Sequence, residues 1–311
     1  MKSQIIQKFV LLALATLTIA SCNNSVSETV VLNFEKDLIP EGIAIDAKSG
    51  RMFLSSLRKN KIVSAGINGS NAADFIEHDQ YDYLSGFGMI IKGDTLYALS
   101  NGLKMKDNKS VLLLLNIKTK QLIEKYEISI LPYAYLNDLA ISSTNEIFIT
   151  DSESNKIYKI ERPNKNLEVY LDTTEVPHSN GIAISDDNSK LFLASKKGIR
   201  VVDVKTKKIL NQPNIESSGI DGMKFYKNSL IGIVEKGVFR FYLNENGTEI
   251  KSKKEIIVFD YTFKSPTTFD IADNSIYFIK NTQLDNFNDS TNEVIDKNKL
   301  ESLILLKTRI E

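Results

Sequence analysis

A strand-turn-strand unit that returns six times at nearly constant spacing limits the folds open to this chain more than any other feature. Its copies begin at Glu41-Gly-Ile-Ala-Ile45, Phe87-Gly-Met-Ile-Ile91, Asn137-Asp-Leu-Ala-Ile141, Asn180-Gly-Ile-Ala-Ile184, Asp221-Gly-Met-Lys-Phe225 and, most weakly, Thr267-Thr-Phe-Asp-Ile271. Each is followed by a turn and a second apolar strand, such as Arg51-Met-Phe-Leu-Ser55 or Ser275-Ile-Tyr-Phe-Ile279. The second positions, 42, 88, 138, 181, 222 and 268, are 46, 50, 43, 41 and 46 residues apart. That period suits a four-stranded blade, and one blade alone leaves both its apolar faces wet. The expectation is an all-β, six-bladed β-propeller over residues 29–311. A sandwich would not need the near-equal period, and the repeat overrides the two domains that 311 residues would otherwise imply. Further strands are expected at Val111–Ile117, Ile157–Ile160, Ile199–Val204, Val238–Leu243 and Leu303–Ile310. Val30–Phe34 is expected to pair with the last blade and cover its edge. The polar stretch Thr282–Lys299 reads as a solvated hairpin extension or as a loop over one mouth of the channel.

Charge and cysteine usage remove several functions. Lys and Arg number 39, as do Asp and Glu, so the chain has no net charge with which to hold nucleic acid. Its single cysteine, Cys22, excludes an internal disulfide and a cysteine zinc site. Lys2 and Lys8 precede the twelve-residue apolar run Phe9–Ala20, which is too short to span a bilayer, and Ile19-Ala20-Ser21-Cys22 follows directly. This run resembles a bacterial lipobox. It predicts a signal peptide over 1–21, a lipidated Cys22 with a polar tether over 22–28, and membrane attachment through the lipid alone, in the bacterial cell envelope. Cleavage leaves 37 basic against 39 acidic residues, a net charge of −2, so the acyl chains do the anchoring.

The site follows from the register of the copies. Their first positions read Glu41, Phe87, Asn137, Asn180, Asp221 and Thr267, and in a propeller equivalent positions of the inner strands converge on the axis. Asn-Gly and Asp-Gly pairs are also ordinary turn chemistry, but four oxygen-bearing side chains in one register point to a shared site. Two carboxylates and two amides are hard oxygen donors that suit Ca²⁺, or another divalent ion, better than zinc. Neither a Gly-x-Ser-x-Gly elbow nor a phosphate loop occurs.

The strings Pro40-Glu-Gly-Ile-Ala-Ile45, Asn137-Asp-Leu-Ala-Ile141 with Thr150-Asp151, Ser179-Asn-Gly-Ile-Ala-Ile-Ser-Asp186 and Ile220-Asp-Gly-Met223 resemble the senescence-marker-protein-30/gluconolactonase family, in family order from about residue 38 to 245. The resemblance implies a six-bladed ring with a calcium ion at the channel mouth, held by Glu41, Asn180 and Asp221, with Asn137 a further ligand or a substrate contact. The chain departs from the pattern in two places. Tyr135 stands where sugar-lactone members often carry an arginine, and Phe87 and Gly102 stand where the related paraoxonases have a histidine pair. The expected activity is calcium-dependent hydrolysis of a small lactone or ester. Asp221 would act as metal ligand and proton acceptor, and Asn137, Tyr135 and Phe87 would contact substrate. The competing expectation is a non-catalytic, calcium-stabilised propeller that binds a protein or glycan.

Overall fold

The computed structural model describes residues 27–103, 108–129, 134–161 and 167–311. Cys22 and the signal segment lie outside the described residues. Among the described residues, no α-helix occurs; the chain forms six antiparallel sheets in sequence order around an axis, a six-bladed β-propeller, plus one small hairpin.

The inner strands are Pro40–Asp46, Ser85–Lys92, Leu136–Ile141, Ile182–Ile184, Met223–Phe225 and Asp270–Ala272, one per blade. Blade 6 is completed from both chain ends. Glu28–Val31 forms its outer strand against Ile304–Arg309, with Val30 opposite Leu305, so the ring closes without relying on blade 1 alone. Blade 4 has three regular strands. Its outer position is filled irregularly: Asn211 accepts from Val201 N through Oδ1 and donates to Ile199 O through Nδ2, a side chain doing the pairing of a fourth strand.

Every interface between blades holds its own apolar cluster, six in all. The second strands explain why their sequences are wholly apolar instead of alternating. In Thr95–Asn101, Leu96 and Ala98 face blade 1 while Tyr97 and Leu99 face blade 3, and all four are buried. A strand covered on both faces has no polar side to display.

Residues 282–299 are a hairpin with a buried root. Phe287–Asn288 pairs with Glu293–Val294, and Phe287, only 8% exposed, joins Leu284 in the cluster that contains Ile39, Leu57 and Phe87. Gln283 donates to Lys36 O and Asn292 to Arg58 O. The segment is therefore a hairpin whose tip, residues 288–293, is exposed but whose root is a strap that leaves blade 6, crosses the loops of blade 1 and reaches blade 2.

Candidate functional site

The channel mouth is built by close approach of the inner strands. A Cβ on Gly42 would lie 2.1 Å from Phe87 O, and one on Gly181 would lie 2.5 Å from Asp221 O. Glycine at these second positions lets each strand's first residue reach the axis. Hydroxyls from the second strands stitch neighbouring blades at the same level. Ser55 Oγ accepts from Gly42 N and donates to Phe87 O, and Thr150 Oγ1 accepts from Asp138 N and donates to Asn180 O.

Glu41, Asn137, Asn180 and Asp221 line one small cavity, together with Asp138, Gly88, Gly222 and Thr268. The register of the repeats thus brings together the four expected donors. Asp138 joins them although it was not expected there; its signal was the one acidic residue in a second-position series otherwise made of Gly42, Gly88, Gly181, Gly222 and Thr268. Phe87 and Tyr135 do not line the cavity. Their rings meet edge to face with centroids 4.7 Å apart, in the apolar cluster between blades 2 and 3 under the strap. An aromatic side chain at the mouth is drawn into that interface because burial there removes its surface from water. The Tyr135 backbone is held as well, its N donating to the buried Asp151 Oδ1 at 3.0 Å. His178 stands at the rim with Nδ1 against Ser152 O at 3.0 Å.

Within the cavity, Asn180 Nδ2 donates to Asp221 Oδ1 at 2.5 Å, and Asn137 Nδ2 donates to Ser152 Oγ at 3.4 Å. Spending both amide N–H₂ groups this way leaves the carbonyl oxygen of each as its acceptor end. Glu41 Oε2 and Asp138 Oδ2 are buried without a hydrogen-bond partner. Burial pushes the Glu41 carboxyl well above the usual carboxylate range, with Asp221 and then Asp138 adding to the rise. Burial likewise raises Asp221 to about 7, opposed by the Asn180 hydrogen bond and reinforced by Asp138. Three mutually repelling acids are held together here at a cost that a cation would offset. Among the described residues, no three His, Cys, Asp or Glu side chains converge closely enough to hold an ion by themselves. A cation at this place needs the amide oxygens as well.

Neither a known protein family nor a curated protein matches the sequence. Solved structures do match the fold. A gluconolactonase from Xanthomonas campestris shares 11% identity over 91% of this chain and 89% of its own, with a TM-score of 0.60. A luciferin-regenerating enzyme shares 12% over 91% and 95%, TM-score 0.61. Virginiamycin B lyase from Staphylococcus aureus shares 13% over 92% and 99%, TM-score 0.57. At such identities the likeness establishes the ring, which carries unrelated chemistries.

Proposed function

We propose that this chain is a divalent-cation-dependent hydrolase of a small lactone or ester, with Ca²⁺ held by Glu41, Asn137, Asn180 and Asp221 and assisted by Asp138. The observation that carries the reading is the pair of buried, partnerless carboxylate oxygens, Glu41 Oε2 and Asp138 Oδ2, in the cavity that also holds Asp221 and the two amides. Hard oxygen donors of this kind suit calcium. The gluconolactonase among the structures of the same fold is in keeping with it.

A bound calcium ion supplies Lewis acidity toward a carbonyl oxygen and stabilises charge developing on it. The chain's own residues do the rest. Asp221, whose carboxyl burial raises to about 7 in the cation-free fold, is placed to accept a proton from attacking water, and Asn180 fixes the orientation of its carboxylate. Asn137, tied back to Ser152, keeps an acceptor toward the ion or substrate. Cys22 anchors the protein in the bacterial envelope in this reading, through the lipobox-like run ahead of a propeller whose first strand begins at Glu28.

One observation favours the alternative, a calcium-stabilised propeller that binds a protein or glycan without turnover. Phe87 and Tyr135, the expected substrate wall, are committed to a blade interface. A panel of aldonolactones, aliphatic lactones and aryl esters, assayed with calcium and with chelator, separates the two. Calcium-dependent turnover supports the hydrolase; calcium binding with no turnover on any member selects the binding propeller.

A further inference from the structure

Further along the inner strands from the cavity, a second set of charges meets near the axis. Lys224 is the middle residue of blade 5's inner strand, Met223–Phe225. Its side chain is 14% exposed, and Nζ lies 3.8 Å from Asp138 Oδ1 of blade 3. Burial raises the Asp270 carboxyl of blade 6, a rise that the Lys224 ammonium opposes and Asp138 reinforces. At the equivalent place in blades 1 to 4 stand Ala44, Ile90, Ala140 and Ala183, so Lys224 and Asp270 are the charged exceptions of that register.

The two acids also hold backbone groups. Asp270 Oδ2 accepts from Ile45 N at 2.7 Å and Oδ1 from Ile271 N at 2.8 Å, which latches blade 6 to blade 1. Asp138 Oδ1 accepts from Leu139 N and lies toward Lys224, while Oδ2 is buried without a hydrogen-bond partner. A lysine has three donors and one compact charge. Beside Asp138 and within electrostatic reach of Asp270, it compensates charges that would otherwise be buried unpaired.

We propose that Lys224 is a built-in cation of the channel: it pairs with Asp138, offsets the charge of Asp270, and limits how strongly the ring above it binds a divalent ion. Only the last part rests on the cation reading of the site. Glu41, Asp138, Asp221 and Asp270 against Lys224 give a formal charge of −3. Removing the lysine makes it −4, and removing Asp270 as well restores −3.

The test compares wild type, Lys224→Met and Lys224→Met/Asp270→Asn by thermal unfolding in chelator and by calorimetric calcium titration. Breaking a buried ion pair should lower the Tm of Lys224→Met in chelator by about 5–10 °C, and the added negative field should tighten calcium by about tenfold or more. The double variant should unfold above Lys224→Met in chelator, with calcium affinity back within about threefold of wild type. An unchanged Tm for Lys224→Met in chelator overturns the neutralising role, and unchanged or weaker calcium binding overturns the limit on affinity. A wild type that binds no calcium overturns the cation reading and that limit together. The chelator comparison then still decides whether Lys224 neutralises the two acids.

Discussion

Asn180 Nδ2 reaches across from blade 4 to donate to Asp221 Oδ1 of blade 5 at 2.5 Å. One bond thereby orients two of the expected donors, holding the carboxylate in place and directing the amide's acceptor elsewhere. Asn180→Ala should leave a buried carboxylate oxygen unpaired, at about 1–3 kcal/mol of stability in chelator. Calcium affinity should fall at least about tenfold, because a hard donor and the carboxylate's support are lost together. Denaturant unfolding and calcium titration of this variant check both numbers.

The raised carboxyls set a pH dependence whose sign depends on the cation. Asp221 ionises at about 7 in the fold, well above an unfolded aspartate, and Glu41 is also raised. The native state therefore holds more protons than the unfolded chain over the intervening range, and cation-free protein should lose stability as pH rises from about 5 to 7. Asp82, Asp94, Asp187 and Asp260 are shifted downward, so their stabilising effect is lost only at more acid pH and does not mask this window. Saturating calcium, which favours the ionised acids, should reverse the slope. Tm against pH in chelator and in calcium should give two lines of opposite gradient.

The glycine collar predicts a different kind of damage. Gly181→Ala places a Cβ 2.5 Å from Asp221 O, and only movement of the adjoining inner strand relieves it. A loss of about 1–3 kcal/mol is expected, accompanied by weaker calcium binding because the displaced strand carries Asp221. Urea unfolding with and without calcium measures the two effects.

The strap should separate from the ring's own stability. Phe287→Ala removes an aromatic side chain from the cluster with Ile39, Leu57 and Phe87, at about 3–5 kcal/mol for a fully buried position. The local result should be new proteolytic cleavage between residues 284 and 299 while the six blades stay resistant. A cleavage pattern like that of wild type would place the strap's attachment elsewhere.

Lipidation is checked by Cys22→Ser, which should release the protein from membranes or leave an unprocessed precursor. Unchanged partitioning and mass would reject the anchor.

Much of this was legible along the chain because a propeller repeats its chemistry in register. The apolar strands had to be covered on both faces, and Glu41, Asn137, Asn180 and Asp221 interrupted apolar runs at one phase. Asp138 was visible as the acid among glycines, but its place in the cavity depends on how near the inner strands come. Lys224 of blade 5 meets Asp138 of blade 3, a proximity no local pattern encodes. The strap was hidden by its own composition: Leu284 and Phe287 are two of only four apolar residues in a polar stretch, and their packing depends on loops that lie more than 200 residues earlier. Blade 4's irregular outer segment was equally hidden, since it pairs through one isolated bridge, Val202 with Ile209, and through the Asn211 side-chain amide.

The central claim is that one divalent cation is held by the carboxylate and amide ring at the channel mouth. Thermal unfolding of wild type and of Glu41→Gln/Asp221→Asn across a calcium series tests it most directly. Because binding to the folded state stabilises it by about 2.7 kcal/mol at a hundredfold excess over Kd, the wild-type Tm should climb with free calcium, and the double variant, still folded, should show no climb. Equal Tm in chelator and in millimolar calcium for wild type, or an identical climb in the double variant, would contradict the account.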